Sequence, residues 1–186
     1  MPFGTLWLPV LVSAGVVWIA SAILHMVLPH HKSDFKGLPD EGAAADALRK
    51  QKIAPGQYVI PHCNDMKQMK DPEMIKKYEA GPVAIVTVLP SGPPAMGKAL
   101  ALWLVYNVLV SFVVAYVARH TLAPGADGML VMRMTSTVTF AAYALGGFAD
   151  SIWMGRPWGH TAKNVIDGLI YGLLTGLTFM LLWPAA

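Results

Sequence analysis

Four charged residues gather in the last quarter of the chain, beside two long apolar stretches. They are Asp150, Arg156, Lys163 and Asp167. Ionisable side chains at membrane depth are costly to bury, and they often mark proton or substrate paths. Asp150 ends one polar helix face and Asp167 begins the next, so both carboxylates are expected near one interface. The sequence therefore predicts a polar cluster here as the candidate functional site.

A purely structural role for the same residues stays open. Asp150 paired with Arg156 would fix the turn between the two apolar stretches. Asp167 would lie in the first turn of its helix, where the helix dipole favours a negative charge. Under this interpretation the carboxylates stabilise the fold and carry no chemistry.

Metal binding is the next chemistry to consider. Five histidines and the single cysteine are expected on or near one side of the membrane: His25, His30, His31, His62, Cys63 and His160. Met66 and Met69 follow Cys63, and thiolate and thioether ligands together suit Cu(I). However, these residues lack the fixed spacing typical of zinc or copper sites. The sequence thus predicts no metal ion or other cofactor, and it leaves open whether His62, Cys63 and the methionines bind a metal.

Catalysis by Cys63 is not favoured by the pattern around it. Its only nearby base is the adjacent His62, whereas catalytic partners usually meet in space and are seldom neighbours in sequence. No repeated acidic or histidine motif points to another reaction. We therefore expect no enzymatic activity.

The composition indicates an integral membrane protein. Of the 186 residues, 55% are hydrophobic and 13% are charged, with a mean hydropathy of +0.48. A soluble domain carries about 25% charged residues. The net charge of +3 is spread along the chain, so no nucleic-acid partner is expected.

Four apolar stretches are long enough to cross a bilayer, because about 20 residues span its hydrocarbon. They run from Leu6 to Leu28, Lys98 to Val117, Met129 to Ala149 and Asn164 to Trp183. The predicted fold is an all-α membrane protein with four transmembrane helices and a polar extramembrane insert of about 65 residues between helices 1 and 2. Its parts are residues 1–29 (helix 1), 30–97 (the insert) and 98–186 (helices 2–4).

The insert shows signals for short elements of its own. Asp40 to Lys50 reads as a helix with acidic residues early and basic residues late. Asp71 and Pro72 begin a second helix as N-cap and N1, and Gly81 ends it. Tyr58 to Ile60 fits a short strand. Val83 to Leu89 is predicted either as a strand or as a stretch on the membrane surface.

The last two predicted spans each carry a polar face rich in small residues. The third span has Thr135, Ser136, Thr139, Tyr143, Gly146, Gly147 and Asp150 on one side. The fourth has Asn164, Asp167, Tyr171, Thr175 and Thr178 beside Gly168, Gly172 and Gly176. Polar groups avoid lipid, and glycines allow close approach of another backbone. We therefore expect these two faces to pack on each other.

Four spans place both termini on one side and the large insert on the other. Lysines and arginines are more numerous near the spans on the insert side, so the positive-inside rule predicts a cytoplasmic insert. The expected location is the cell (inner) membrane, as a multi-pass protein in contact with the lipid bilayer.

Two segments carry a resemblance to a known family. They are Gly155-Arg156-Pro157-Trp158 and the stretch from Asn164 to Gly172, Asn-Val-Ile-Asp-Gly-Leu-Ile-Tyr-Gly. In these segments the chain resembles a family of small, uncharacterised bacterial integral membrane proteins with four helices, a domain of unknown function. The resemblance implies a fold and a location, and it implies no activity.

The sequence leaves two functions in competition. The first is a non-catalytic accessory or scaffold protein that binds a membrane-protein partner. The alternative is a small transporter, or an ion- or proton-conducting protein, that uses Asp150 and Asp167. Because four spans are few for a pathway in one copy, the alternative requires a homo-oligomer.

Overall fold

The structure is a computed structural model that describes residues 3–186. The chain forms two compact units. The helical unit contains the residues up to Phe35 together with Ala95–Ala186, and the second unit is Lys36–Pro94. The residues from His30 to Phe35, which the sequence assigned to the insert, thus belong to the helical unit.

Helices dominate the described part of the chain. The α-helices are α1 (Trp7–Ala22), α2 (Glu41–Lys50), α3 (Pro72–Ala80), α4 (Met96–Thr121), α5 (Gly128–Phe140), α6 (Gly147–Trp153) and α7 (Trp158–Leu181). A π-helical turn, Ile23–Val27, continues α1, and a second one, Ala141–Leu145, lies between α5 and α6. Single π-helical turns inside helices often occur at functional sites.

Three helices are long and apolar enough to cross a membrane. They are Gly4–Val27, Met96–Thr121 and Trp158–Leu181. They correspond to the first, second and fourth predicted spans. The third predicted span, Met129 to Ala149, is not one regular helix, because the π-helical turn separates α5 from α6.

The last helix begins earlier than the sequence pattern suggested. It starts at Trp158, directly after Pro157, and not at Asn164. Proline is well tolerated at a helix start, and no further proline follows Pro157 before Pro184, beyond the end of α7. Asp167 is therefore the tenth residue of α7, and the prediction that it lies in the first turn is wrong.

The predicted packing of the two small-residue faces is confirmed. A Cβ added at Gly168 would lie 3.0 Å from Ala144 Cβ, and one at Gly172 would lie 2.9 Å from the carbonyl oxygen of Ser136. One at Gly176 would overlap Ser136 Oγ. These glycines let α7 pack closely against α5 and the π-helical turn that follows it.

The remaining contacts tie α1 and α4 to this pair. Helix α1 packs against both α4 and α7, and Ser13 Oγ donates to Ser111 Oγ at 3.0 Å. At the end of α7, the indole nitrogen of Trp183 donates to the carbonyl oxygen of Ala123 at 3.0 Å. The C-terminal end of α7 thus lies beside the connection between α4 and α5.

The second unit contains two short helices and a two-stranded sheet. Asp40 caps α2 by accepting from the amide of Ala43, and Asp71 caps α3 by accepting from Glu73. Strands β1 (Gly56–Ile60) and β2 (Ala84–Val88) pair antiparallel. The two predicted helices, the N-cap at Asp71 and the strand at Tyr58 are confirmed, and the stretch from Val83 to Leu89 contains a strand. The sheet corrects the all-α assignment.

Candidate functional site

The four charged residues of the predicted cluster fall into two separate groups. Arg156 Nη1 lies 3.2 Å from Asp150 Oδ2, and both side chains are nearly half exposed. Lys163 and Asp167 instead contact residues at the end of the first span. Within residues 3–186, Asp150 and Asp167 have no partner in common. The pairing of Asp150 with Arg156 is the one expected of a turn-fixing ion pair.

Asp167 lies at the centre of a histidine cluster. Its side chain is only 3% exposed although it belongs to a membrane-length helix. The Nε2 atom of His31 is 2.7 Å from Asp167 Oδ2, and that of His30 is 3.3 Å from Oδ1. The Nε2 atom of His25 is 3.7 Å from Oδ2. Three imidazoles therefore point a ring nitrogen at one buried carboxylate.

A second buried carboxylate, Asp34, lies on the other side of His31. Asp34 Oδ2 is 2.6 Å from His31 Nδ1, and Asp34 Oδ1 accepts from Lys163 Nζ at 2.6 Å. The Nδ1 atom of His160 is 3.3 Å from Asp34 Oδ2. His31 thus bridges the two carboxylates through its two ring nitrogens.

The electrostatics of this bridge follow from its hydrogen bonds. Burial alone would raise the pKa of Asp34, but hydrogen bonds from Lys163 and His31 lower it to about 2. Burial alone would lower the pKa of His31, but hydrogen bonds to Asp34 and Asp167 raise it above its ordinary value. Asp34 is therefore a fixed anion that holds a proton on the Nδ1 atom of His31.

Local backbone structure brings these residues together. The π-helical turn Ile23–Val27 carries His25. Leu28 is extended, as expected before a proline, and Pro29–His31 form a 3₁₀ turn that folds back towards α7. The rings of His25 and His31 stack with centroids 4.1 Å apart. In α7, Lys163 and Asp167 are four residues apart and so lie on one helix face.

His25 faces an acceptor with each of its ring nitrogens. Its Nδ1 atom is 3.1 Å from the carbonyl oxygen of Ser21, and its Nε2 atom is 3.7 Å from Asp167 Oδ2. The contact with Ser21 thus orients the ring so that Nε2 points at the buried carboxylate.

His25, His31 and Asp167 bring potential metal-ligand atoms close together. One ligand atom each from His25, His31 and Asp167 lies within 4.8 Å of the other two. Two imidazoles and one carboxylate form a donor set used for zinc and for non-haem iron. The backbone carbonyl at His25 and the carboxylate at His31 are the outer partners that orient metal-binding histidines. The donor set thus fits a divalent transition metal.

The candidate metal ligands around Cys63 belong to the second unit. His62 and Cys63 belong to the Lys36–Pro94 unit, where Cys63 Sγ is 3.4 Å from the hydroxyl of Tyr78. Cys63 is a free thiol. Of the six residues considered from the sequence, the structure brings together the four histidines His25, His30, His31 and His160.

A cavity of about 690 Å³ opens beside the histidine cluster, wholly within the helical unit. His25, His31 and Asp167 contribute to its polar end. Met26 and Leu100 contribute to its apolar wall, with further residues of α1 and α4. The second π-helical turn supplies Tyr143. Both π-helical turns therefore border the cavity.

Sequence reasoning missed Asp34, the residue that organises half of the cluster. The available signal was its place in the chain: Asp34 follows His31 by three residues, directly after an apolar span that carries His25. The spacing of these residues fits no known metal motif. The chain reverses direction between His25 and His31, so the candidate ligands do not come from one regular element. The contact with α7, more than 120 residues away, exists only in the folded chain.

Comparison of this chain with protein-family models, with curated proteins and with solved structures finds no match.

Proposed function

We propose that this protein is an integral membrane protein that binds a divalent transition-metal ion at His25, His31 and Asp167. The observation that carries the proposal is the convergence of the three ligand atoms within 4.8 Å of one another. The orientation of His25, with Nδ1 at the carbonyl oxygen of Ser21 and Nε2 towards Asp167, also supports it. Three protein ligands leave coordination positions open, which is typical of catalytic and transport sites and not of structural ones.

The donor atoms narrow the choice of metal. Nitrogen and oxygen ligands without a thiolate favour Zn(II) or Fe(II) over Cu(I). The distance of 2.7 Å between His31 Nε2 and Asp167 Oδ2 is a hydrogen-bond distance, so a small outward shift admits the ion. A bound metal ion would then take the place of the proton on His31 Nε2, and that proton would be released.

Metal content of the purified full-length protein tests the proposal. The protein is extracted in mild detergent, stripped with a chelator and dialysed against Zn(II) or, without oxygen, against Fe(II). We expect about one tightly bound ion per chain, as for a preformed site. A chain that retains no Zn(II), Fe(II) or Co(II) at micromolar concentration would contradict the metal centre.

Replacing Asp34 with Asn should weaken metal binding without removing a ligand. The variant keeps the size of the side chain but loses the anion that holds a proton on His31 Nδ1. Outer partners of this kind typically contribute about 10–100-fold to metal affinity. Competition with a zinc-specific dye measures the change. The matched control is Asp127→Asn, which alters an N-cap on α5 and should leave the affinity unchanged.

Two contacts support four crossings of the membrane. Lys163, near the start of α7, binds Asp34, just after the first span. Trp183, just after the end of α7, binds Ala123, just after α4. The chain between Ala123 and Trp158 must therefore run from one end of the bundle to the other, and α5, the π-helical turn and α6 together supply that path.

Labelling of Cys63, the single cysteine, tests the arrangement across the membrane. Four crossings place Cys63 opposite the C-terminus, and the positive-inside rule places it in the cytoplasm. We expect a membrane-impermeant maleimide to label Cys63 only after spheroplasts are permeabilised, and an antibody to reach a C-terminal tag in spheroplasts that are still sealed. Labelling of Cys63 and of the tag from the same side would contradict four crossings.

A second candidate function is proton conduction or transport through Asp167. Its support is a set of buried polar groups without a hydrogen-bond partner in the described residues, namely Asn107 Nδ2, Ser136 Oγ, Tyr171 Oη and Thr175 Oγ1. Such groups inside a membrane need water or another partner. Reconstitution into liposomes with an internal pH dye tests it: proton flux that disappears in Asp167→Asn would favour this function.

The accessory or scaffold role predicted from the sequence remains a third proposal. The Lys36–Pro94 unit would then supply the surface for a membrane-protein partner. Co-purification from mild detergent through a C-terminal tag tests it. A stoichiometric partner would support the accessory role, and a homo-oligomer alone would favour transport.

A further inference from the structure

The cavity beside the metal ligands has two chemically different ends. At the polar end lie His25, His31 and Asp167, with Lys32 also on the wall. Asp34, His160 and Asn164 line the cavity as well, and apolar residues, including Ala22, Met26, Met96 and Leu100, form much of the remaining wall. A ligand that fits both ends has a charged head and an apolar body.

The aromatic wall of the cavity offers little further hydrogen bonding. The indole nitrogen of Trp103 already donates to Ser21 Oγ at 2.7 Å, and Ser21 Oγ donates to the carbonyl oxygen of Trp18. Tyr143 Oη donates to Asn107 Oδ1 at 2.8 Å. Trp103 and Tyr143 therefore present ring carbons to whatever fills the cavity.

The buried hydroxyl of Tyr171 is an independent indication that a ligand binds in the cavity. It lines the cavity one helical turn after Asp167, and the residue is only 3% exposed. Its hydroxyl has no hydrogen-bond partner among the described residues. A buried hydroxyl without a partner is unfavourable, and a ligand oxygen near Asp167 would provide an acceptor.

The position of the cavity in the bundle suggests where the ligand comes from. Its wall includes the C-terminal end of the first membrane-length helix, around His25, and the N-terminal end of α4, around Met96. The ends of helices that are long enough to span the bilayer lie near the level of the lipid head groups. A membrane amphiphile carries its polar head at that level and its chain in the hydrocarbon.

We propose that this cavity binds a single-chain amphiphile with a carboxylate head, whose head occupies an open position of the metal while its chain lies against Leu100 and Trp103. The inference rests on the proposed metal centre and names its ligand class. Asp34 is already paired with Lys163 and His31, and a divalent cation together with Lys32 exceeds the single negative charge of Asp167, which favours an anionic head. A volume of about 690 Å³ is that of a site for one small ligand, which favours one chain over a two-chain phospholipid.

The test uses the full-length protein in phosphatidylcholine nanodiscs, loaded with Co(II). Dibromostearate is the probe, because bromine atoms on the chain quench tryptophan fluorescence at contact and the carboxylate changes the visible spectrum of Co(II) on coordination. We expect both signals to saturate at the same concentration. Trp103→Phe should remove most of the saturable quenching. The methyl ester of the probe, which lacks the carboxylate, should leave the Co(II) spectrum unchanged.

Two adjacent glycines provide a matched pair of variants. Gly147 is among the residues that line the cavity, whereas Gly146 is not, and among residues 3–186 an added Cβ at either position meets no atom within 4 Å. Gly147→Leu should fill the cavity and weaken dibromostearate binding by at least about tenfold, while Gly146→Leu leaves it unchanged. Both variants should retain Co(II), which shows that the metal centre and the fold are intact.

The outcomes of this test distinguish a failure of the ligand inference from a failure of the metal centre. If Co(II) binds but dibromostearate gives no saturable quenching, or quenches without changing the Co(II) spectrum, the ligand inference is wrong and the metal centre stands. Equal competition by lysophosphatidylcholine would also overturn it, because the head would then not be selected. If Co(II) does not bind, the metal centre fails, and the proposed head-group contact fails with it.

Discussion

Asp167→Asn is expected to lower the affinity for Zn(II) by more than about 100-fold, beyond the range typical of outer-shell partners. Asn has nearly the same volume, so the variant removes the anionic ligand and little else. The remaining histidines, His25 and His31, then face a neutral amide. Metal content after dialysis and competition with a zinc-specific dye measure the loss.

Two further variants make this result interpretable. His25→Ala removes a ligand whose side chain is 47% exposed, so it should reduce metal binding without harming the fold. Asp150→Asn changes a carboxylate of the same predicted cluster that pairs with Arg156 instead, and it should bind metal as the unchanged protein does. Full metal binding by both Asp167→Asn and His25→Ala would place the metal outside this site, or show that none binds.

Gly176→Ala is expected to destabilise the helical unit by about 1–3 kcal/mol, the usual cost of forcing an extra methyl group into a packed interior. The added Cβ would overlap Ser136 Oγ and would lie 2.9 Å from the carbonyl oxygen of Met132. The serine side chain can rotate, but the backbone carbonyl cannot move without separating α5 from α7. Thermal unfolding in detergent, followed by circular dichroism, measures the change in Tm.

The same helix contains a control for this substitution. Gly159 lies in the first turn of α7, and an added Cβ there meets no atom within 4 Å. Gly159→Ala should therefore leave Tm unchanged or raise it, because alanine favours a helix over glycine by up to about 1 kcal/mol. A Tm that falls equally in both variants would mean that the loss comes from the glycine-to-alanine change itself and not from the contact with α5.

Hydrophobic run length and periodicity determined the long elements of this protein. The stretches around Val17, Val110 and Leu173 are helical because an apolar run in lipid must satisfy its backbone hydrogen bonds internally. The face with Gly168, Gly172 and Gly176 predicted the contact with α5. Small residues four positions apart lie on one side of a helix, and a neighbouring backbone can approach closely only on that side. The N-cap Asp71 was predictable because it acts on an amide only two residues further along the chain.

Hydrophobic run length, periodicity and local capping signals did not determine the candidate site. Asp150 and Asp167 look alike in sequence, yet Asp150 is nearly half exposed in α6. Asp167 is buried among histidines, because α7 begins six residues before the apolar pattern does. His31, Asp34 and Asp167 meet only after the chain reverses at Pro29 and α7 packs against α1. Local patterns encode which residues form a helix; the convergence of ligand atoms from a π-helical turn, a 3₁₀ turn and a distant helix depends on tertiary packing alone.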